Sequence, residues 1–558
     1  MSVCWKDLKS IDCFVDSYFL YRYYITVMNI TTQQGYRPEG RLPSVKWLYP
    51  MVLIGAMVLY ASTAQRGVPW QDSGMHQFRA IKFDLVGHLG LALSHPLYIA
   101  AGHGIWLIGK EHFPFLMNAF SGLGMAVAMA NLAAVCTILT GRRWIGAVSA
   151  AMLAVAHTPW WLGTISEVYA WVIAGLTAEI WLMILLIHKP TAGKLCALAF
   201  ISGMGLSLHN FALLPLPIYI VVALVLVARK QLHAKALIPA AVVYLIGAGL
   251  YIGMIINQAI KTGDIVGTIH SALFGKYASA VLNISSVSKY GKANAAISSM
   301  NFVNFLLPFA VIGWAKLSRQ VGRFIAFAIG AITVIELFFF IRYPVPDQFM
   351  FILPSLVMIT IAASVGISRL AAHSADRARL VLTACIVSII VPPMVYATIP
   401  TILRNLGVTV RRKRPLPFRD EVRYWLTPWK HNENSAELFA KAVLTTVEPN
   451  GVIIAGPSSY YPIALFQKIH SIRKDVLLLG GNEPWGEVPE PSKENLQAFF
   501  HALAGRPIYS VSNVRGYCPK TLLPYIEERR HGIIYQIRPP SEQPPISSPV
   551  SNPSKTRR

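Results

Sequence analysis

The stretch GVPWQDSGMHQFRAIKFDLVGHLGLALSHPLY, residues 67–98, follows the first long apolar run of the chain. It carries carboxylates, cations and imidazoles among aromatic residues and glycines: Asp72, His76, Arg79, Lys82, Asp84, His88 and His95. Elsewhere, most ionisable residues near apolar runs lie in short basic loops. This mixture is typical of a site that moves protons and holds phosphate, and a plain solvated loop is the alternative. How this stretch lies relative to a membrane decides the fold.

The composition predicts an integral membrane protein. Of the 558 residues, 54% are hydrophobic and 14% are charged, whereas ordinary soluble domains carry about 25% charged residues. The formal net charge of +24 could indicate nucleic acid. Much of this excess lies in short loops between apolar runs, however, where basic residues set the orientation of a membrane protein. We therefore expect membrane lipids, and no nucleic acid, as partners.

The cysteines do not indicate a disulfide framework or a zinc site, because none forms a CxxC pair and three lie in apolar runs. They are Cys4, Cys13, Cys136, Cys196, Cys385 and Cys518.

Eleven apolar runs are long enough to cross the ~30 Å hydrocarbon core of a bilayer. The run at 88–108 would be a twelfth, but counting it places the basic links between the spans outside, against the positive-inside tendency. We therefore predict that residues 65–113 form the first extracytoplasmic loop, with helices lying in or dipping into the interface at 72–108. The eleven runs are 46–64, 114–139, 143–159, 163–187, 194–209, 210–228, 236–257, 301–316, 323–341, 348–368 and 378–398.

Outside the spans, the chain changes character twice. Residues 432–538 alternate helical and strand patterns, which predicts a small α/β domain with a mostly parallel sheet. The basic run at 411–414 would then lie outside, against the positive-inside tendency, and Met28 is an alternative start of the chain. The predicted division is 1–45, a basic cytoplasmic segment; 46–400, an α-helical polytopic membrane domain; 401–538, the extracytoplasmic α/β domain; and 539–558, a disordered tail.

This topology brings distant polar segments to one face, which is the main functional prediction from the sequence. The cytoplasmic links are short and basic, whereas the extracytoplasmic segments carry aromatic and mixed polar residues. They are the loop at 67–113, the run from His157 to Glu167, the run from Ser207 to Asn210, the loop at 258–300 and the run from Arg342 to Asp347.

Asp72 is the first carboxylate after the first span and follows a Gly-Val-Pro-Trp-Gln turn. Partial burial at the membrane edge would raise the pKa of a carboxyl group and make it a better general base. The alternative is a helix N-cap, in which the aspartate accepts hydrogen bonds from free backbone amides. We predict Asp72 as a catalytic base.

Arg79 and Lys82 are three residues apart, so on a helix they lie on one face. Arg79 also follows Asp72 by seven residues, nearly two turns, which places it on the same side. Two cations beside the headgroups are suited to binding a lipid phosphate. The alternative is that both side chains snorkel to the interface.

Later loops supply further candidates for substrate binding. Glu167 lies at the top of an apolar helix, where a carboxylate is costly unless it is used or paired. Asp347 and Arg342 either bind substrate or form an ion pair that caps a loop. Three more side chains could bind sugar hydroxyls, although each type is more often structural: His95, His209 and Asn210.

The segments Gly67-Val68-Pro69 to Asp72-Ser73-Gly74 and Ser94-His95-Pro96-Leu97-Tyr98 resemble a signature of one GT-C superfamily branch, Asp-Ser-Gly-Glu followed by His-Pro-Pro-Gly-Tyr-Pro-Leu. These membrane glycosyltransferases are related to the protein O-mannosyltransferases. The branch includes the animal transmembrane O-mannosyltransferase that modifies plexin-type domains and many uncharacterised bacterial members.

Later motifs of that branch are similar to Trp160 through Tyr169, to Tyr343 through Asp347 and to Arg473-Lys474-Asp475-Val476. The chain departs from the signature in two places. Met75 stands where the family has glutamate, and the Pro-Gly-Tyr part of the second motif is missing.

The resemblance implies a GT-C-like fold and transfer of a sugar from a polyprenyl-phosphate donor to an acceptor hydroxyl of a protein or envelope glycan. Asp72 matches the aspartate that such enzymes use as catalytic base. A multi-pass protein of the bacterial inner membrane, with its active site facing outside, is then expected. The lipid-linked sugar is the expected ligand, and a divalent metal is left open, although no ligand cluster demands one.

Two alternatives remain from the sequence. A lipid or polysaccharide transporter, or flippase, could use Glu179, the deepest carboxylate, for proton coupling, while Glu336 lies nearer the outer end of its helix. A non-catalytic subunit of an envelope glycan assembly would explain the substitution at Met75.

Overall fold

The computed structural model describes residues 43–285, 291–408 and 416–539, without the side chains of 528–531. Most of the predicted N-terminal segment, the basic run at 411–414 and the tail after residue 539 lie outside these residues.

Long apolar helices form most of the described chain, which confirms a polytopic α-helical membrane protein. Six helical segments are long and apolar enough to cross a membrane, and two more candidate spans are helix pairs bent by 68° and 80°. Each of the eleven predicted runs overlaps one of these helices or a shorter apolar one, while the number of membrane crossings stays a prediction. The six segments are Lys110–Thr140, Tyr169–His188, Asn210–Ala228, Arg323–Arg342, Gln348–Ala371 and Ala375–Asn405.

The remaining helices of the membrane part are shorter. The bent pairs are Ala234–Gly247 with Gly249–Thr262 and Gly291–Phe302 with Leu306–Val321. Four apolar helices have 10–17 residues, namely Leu48–Thr63, Pro96–Ile108, Arg143–Ala154 and Ala192–Leu208. Short helices at the loops are Gln71–Lys82, Leu91–Leu93, His157–Leu162, Ile265–Phe274 and Ala278–Val281.

Burial separates the central helices from the peripheral ones. In the apolar window of Gln348–Ala371, 94% of residues are buried, against 22% for Arg323–Arg342. Glycines allow the central helix to touch its neighbour Leu306–Val321 at the backbone: a Cβ on Gly313 would lie 1.7 Å from Ala362 O. Small residues at such crossings are the usual means of close helix packing in a membrane.

The stretch at 72–108 forms separate short helices, as the sequence predicts. Its longest helix, Pro96–Ile108, has 13 residues, which at 1.5 Å per residue is about 20 Å. That length is short of the ~30 Å hydrocarbon core. The placement of these helices in the outer interface stays a prediction.

The C-terminal segment contains a five-stranded sheet flanked by helices, which confirms the predicted α/β character. The strand order is β2-β1-β3-β5-β4. The strands are β1 Val452–Ala455, β2 Leu477–Gly480, β3 Ile508–Ser510, β4 Ile526–His531 and β5 Ile534–Ile537. The helices are Glu421–Leu426, Ser435–Thr446, Pro457–His470 and Leu496–Ala502.

The expectation of a mostly parallel sheet is wrong for its second half. Strand β1 pairs in parallel with β2 and β3, but β5 pairs antiparallel with β3 and β4. Strands β4 and β5 are joined by a two-residue turn that contains Gly532 at φ 55°, and a connection this short requires antiparallel neighbours. The sequence of β4, Ile-Glu-Glu-Arg-Arg-His, is mostly charged, so its composition does not indicate a strand.

The C-terminal segment packs directly against the first loop. Lys430 N donates to Thr63 O at 2.8 Å, and Trp70 Nε1 donates to Ser435 Oγ at 2.8 Å. The helix Pro457–His470 of the same segment contacts the helix Gln71–Lys82, which carries Asp72.

Candidate active site

Asp72 lies in the first turn of the helix Gln71–Lys82 and is not its N-cap. The N-cap is Trp70, whose backbone is extended. A carboxylate in the first turn interacts favourably with the helix dipole, but the capping alternative does not account for Asp72.

Three carboxyl groups from separate segments lie close enough to interact electrically. Glu167 Oε1 accepts a hydrogen bond from Ser73 Oγ at 3.2 Å, which joins the loop before Tyr169 to the first-loop helix. The charges of Asp72 and Asp347 both act on Glu167. The structure therefore brings together three of the predicted site residues.

The pKa shifts of the three carboxyl groups have different causes. Burial, followed by the charges of Asp72 and Asp347, raises the pKa of Glu167 well above its ordinary value. Burial, followed by the charge of Asp72, raises the pKa of Asp347 to about 7. Burial alone raises the pKa of Asp72. Because the charge of Asp72 acts on the other two, the three carboxyl groups titrate together, and an ionised Asp72 favours the neutral forms of Glu167 and Asp347.

Access to water also distinguishes Asp72. Its side chain is exposed, whereas Glu167 is 4% exposed and Asp347 is half-buried. The surrounding protein nevertheless raises the pKa of Asp72, so this carboxylate lines a recess rather than an outer surface. A carboxylate in such a position can meet a substrate hydroxyl and take its proton.

Three histidines lie beside these carboxyl groups. His76 Nε2 is 4.0 Å from Glu167 Oε2, and its ring centroid is 5.4 Å from that of His95. His95 in turn stacks on His209 at 4.9 Å. Burial lowers the pKa of His76 to about 3 and that of His209 to about 4, so both rings are neutral at neutral pH.

His76 belongs to the candidate stretch but was given no role of its own, although its position carried a signal. His76 follows Asp72 by four residues, which is one helical turn and therefore the same face. Its Nδ1 atom is buried and has no hydrogen-bond partner within the described part of the chain. Tyr169 was also missed; its ring lies 5.4 Å from that of His209.

Arg79 is buried and its guanidinium group organises the first loop. It donates to four backbone carbonyl oxygens, those of Asp84 (3.2 Å), Leu85 (3.0 Å), Leu93 (3.3 Å) and Ser94 (2.7 Å). This geometry favours a structural role, because few of its donors remain for a phosphate. Phosphate binding by Arg79 stays a prediction.

Lys82 is the last residue of the same helix, one turn after Arg79, and is 48% exposed at its side chain. Its Nζ atom forms an ion pair with Glu483 Oε2 at 2.9 Å and lies 4.4 Å from the centre of the Phe78 ring. Lys82 therefore joins the first loop to the C-terminal segment and remains accessible at the rim.

Two predicted site residues anchor a loop instead of joining the carboxyl groups. Asn210 Nδ2 donates to Ala272 O at 2.5 Å, and Arg342 Nη1 donates to the carbonyl oxygens of Val281 and Asn283. Both hold the segment 263–285 against the membrane helices. Substrate binding by Asn210 and Arg342 stays a prediction.

The C-terminal segment forms one wall beside the first-loop helix. Phe78 packs against Tyr460 and Tyr461, with ring centroids 5.9 Å apart in each case. A Cβ on Gly74 would lie 2.9 Å from Tyr461 Cβ, so glycine is needed for this approach. Met75, where the resemblance expects glutamate, is 5% exposed and its Sδ atom is 4.0 Å from Asn482 Nδ2.

No group of three His, Cys, Asp or Glu side chains within the described ranges is arranged to hold a metal ion. The described residues therefore provide no ligand set for the divalent metal that the sequence leaves open.

The chain is similar to solved structures, among them one that matches most of its length. That structure is the crystal structure of ArnT from Cupriavidus metallidurans bound to undecaprenyl phosphate; the TM-score is 0.53, the sequence identity is 12%, and the match covers 88% of this chain and 98% of ArnT. No protein-family model and no curated protein matches the chain. The comparison and the helical architecture together show a polytopic membrane fold of the GT-C-like kind.

Proposed function

We propose that the chain is a membrane glycosyltransferase that moves a sugar from a polyprenyl-phosphate donor to an acceptor hydroxyl, with Asp72 as the base. The observation that carries this proposal is the position of Asp72, an exposed carboxyl group whose charge acts on both Glu167 and Asp347. The shared fold with ArnT, which was crystallised with undecaprenyl phosphate, supports the class of donor.

The reaction follows from the chemistry of a sugar linked to phosphate. As the bond between the anomeric carbon and the phosphate oxygen lengthens, positive charge develops on the sugar ring. The acceptor oxygen attacks that carbon, Asp72 takes the hydroxyl proton, and the polyprenyl phosphate leaves with the bonding electron pair. The negative charge of Asp72 also stabilises the developing positive charge.

Neighbours of Asp72 position the reactants. Burial and the charges of Asp72 and Asp347 raise the pKa of Glu167, so this group can hold a proton and add no second charge beside Asp72. Neutral His76 offers a ring nitrogen 4.0 Å from Glu167, and the ring of His95 packs against His76. Lys82, exposed at the rim, is the better placed of the two predicted cations to meet a phosphate, since Arg79 is engaged by carbonyl oxygens.

The C-terminal segment is proposed to bind the acceptor, because Tyr460, Tyr461 and Asn482 stand beside the first-loop helix. On the positive-inside argument, this face is extracytoplasmic. The acceptor is then an envelope glycan or an exported protein, and the O-mannosyltransferase-related branch is the family that the motifs favour.

The test is a transfer assay with purified full-length protein and radiolabelled polyprenyl-phosphate sugars. Release of polyprenyl phosphate and labelling of envelope glycans or proteins are both measured. The wild type should release the carrier, the Asp72→Asn variant should not, and Glu111→Gln, which changes an exposed carboxylate in the same loop, should behave as wild type.

Carrier release that is equal in wild type and Asp72→Asn would overturn the assignment of Asp72. Movement of intact lipid-linked sugar across a vesicle membrane without bond cleavage would instead identify a transporter. Failure of every donor, together with binding to another envelope protein, would favour a non-catalytic subunit.

A further inference from the structure

A small cavity lies between membrane helices, separate from the candidate active site. Its lining includes Glu179, from the helix Tyr169–His188, and Glu336, from the helix Arg323–Arg342. Each glutamate is 1% exposed. The cavity volume is about 10 Å³, which is near the minimum that one water molecule needs.

Aromatic rings lie between this cavity and the candidate active site around Asp72. Phe211 lines the cavity, and its ring lies 5.7 Å from that of Phe351, which in turn is 5.3 Å from Tyr169. Glu179 follows Tyr169 by ten residues, or about 15 Å along a helix. The two glutamates therefore cannot take part in the chemistry at Asp72.

Each glutamate leaves one carboxyl oxygen without a hydrogen-bond partner among the residues that the structure describes: Glu179 Oε1 and Glu336 Oε2. The other oxygen of Glu179 accepts from Tyr219 Oη at 3.1 Å. The hydroxyl of the buried Ser202 interacts with the carboxyl group of Glu179. Buried polar atoms normally have partners, so two carboxyl oxygens without partners on one cavity indicate a missing ligand.

The charge of the cavity determines what that ligand is. The described lining contains no lysine, arginine or histidine to balance the carboxyl groups. Two ionised carboxylates side by side in apolar surroundings are strongly unfavourable. One proton leaves a single negative charge, and one monovalent cation beside the remaining carboxylate then makes the site neutral.

We propose that Glu179 and Glu336 form a binding site for one small monovalent cation, with Na⁺ as the ion that fits. Oxygen ligands are those that hard cations prefer, and a cavity the size of one water molecule excludes an organic cation. One glutamate is protonated and the other is ionised, so the ion and the proton together neutralise the pair.

The test measures Na⁺ binding to purified full-length protein. Thermal unfolding is followed in NaCl and in choline chloride at equal ionic strength, and binding of ²²Na⁺ is measured directly. The wild type should melt at a higher temperature in NaCl, because a ligand that binds only the folded state stabilises it. Binding should saturate at about one ion per chain.

The variants Glu179→Gln and Glu336→Gln keep the shape of the side chain and remove the negative charge. Each single variant mimics the protonated partner and should retain Na⁺ binding, whereas the double variant has no carboxylate left and should weaken binding by about tenfold or more, since an interaction with a charged group typically contributes ~1.5–3 kcal/mol. Glu111→Gln, outside the bundle and exposed, should keep the wild-type response.

A second arm repeats the titration at mildly acidic pH, where protons should compete and weaken Na⁺ binding. Tyr219 and Tyr244 are titratable side chains near Glu179, and phenols stay neutral in this range. Wild-type melting that responds to pH but not to Na⁺ would show that protons alone neutralise the pair and would overturn the proposal. That outcome does not depend on whether the variants fold.

Discussion

Two groups of acidic side chains in the described part of the chain lie in largely apolar surroundings, and the groups differ in access to water. Asp72, Glu167 and Asp347 meet where three loops converge, and Asp72 remains exposed. Glu179 and Glu336 lie between membrane helices and are each 1% exposed.

This difference separates two kinds of chemistry available to the same functional group. A general base has to reach its substrate, so an aspartate in an open recess can exchange a proton at each turnover. An enclosed carboxyl group can only keep a proton or a bound ion. Accessibility, more than burial or the pKa shift alone, therefore distinguishes the catalytic candidate from the ion-site candidates.

Replacing Asp72 should have the largest effect of any single change. Positioned general bases typically contribute ~10²–10⁴-fold, so Asp72→Asn should lower the transfer rate by about that factor. Donor binding should be retained, because the lost proton transfer acts in the transition state. Carrier binding and transfer are measured on one preparation. Near-normal transfer would show that Asp72 is not the base, so its exposure would no longer set the two acidic groups apart in function. Glu167 or Asp347 would then be the next candidates for the base.

Replacing Arg79 should disturb the first loop, which carries Asp72. Arg79→Gln leaves several carbonyl oxygens of residues 84–94 without their donor, and each unsatisfied buried group costs about 1–3 kcal/mol. We expect a melting temperature several degrees lower, while the surviving folded enzyme keeps its KM for the donor. A normal melting temperature with a raised donor KM would favour the phosphate-binding alternative.

Asp347→Asn should change how stability depends on pH. The pKa of Asp347 is raised to about 7 from 3.8, so the folded state binds more protons than the unfolded state between about pH 4 and pH 7. Stability therefore falls as the pH rises through that window, and the variant should lose less stability there. Thermal unfolding across this range provides the measurement. Parallel curves for wild type and variant would show that the carboxyl groups do not interact as proposed.

The ion pair between Lys82 and Glu483 should have the smallest effect. It is half-exposed at Lys82, and exposed pairs typically contribute ~0.2–1 kcal/mol. A double-mutant cycle with Lys82→Gln and Glu483→Gln isolates this interaction energy. A larger loss of transfer than of stability in Lys82→Gln alone would show that this cation also meets the donor phosphate.

Local pattern was sufficient to predict the fold class and several members of the site. Hydrophobic run length predicted helices at each of the eleven positions, and the motif around Asp72 pointed to a helix that carries it. The clustering of Asp72, Glu167 and Asp347 followed from assigning their loops to one face. These features depend on residues that are close in the sequence or on a rule about loop charge.

Contacts between distant residues could not be predicted in the same way. The carbonyl partners of Arg79 come from a turn whose backbone path has no periodic signal. Glu179 and Glu336 were noted separately, but nothing in the sequence indicates that their helices share a cavity. Strand β4 was missed because its charged residues oppose the usual strand composition.

The contact between the first loop and the C-terminal segment has a consequence for the timing of biosynthesis. Trp70 and Ser435, joined by a hydrogen bond, are 365 residues apart. At ~5–20 residues per second, the ribosome needs roughly 20–70 s to make the second partner after the first. During that interval the first loop, which carries Asp72, is already at the membrane but the C-terminal segment that packs against it has not been made. A chaperone or the membrane surface itself would have to protect its aromatic residues until synthesis ends.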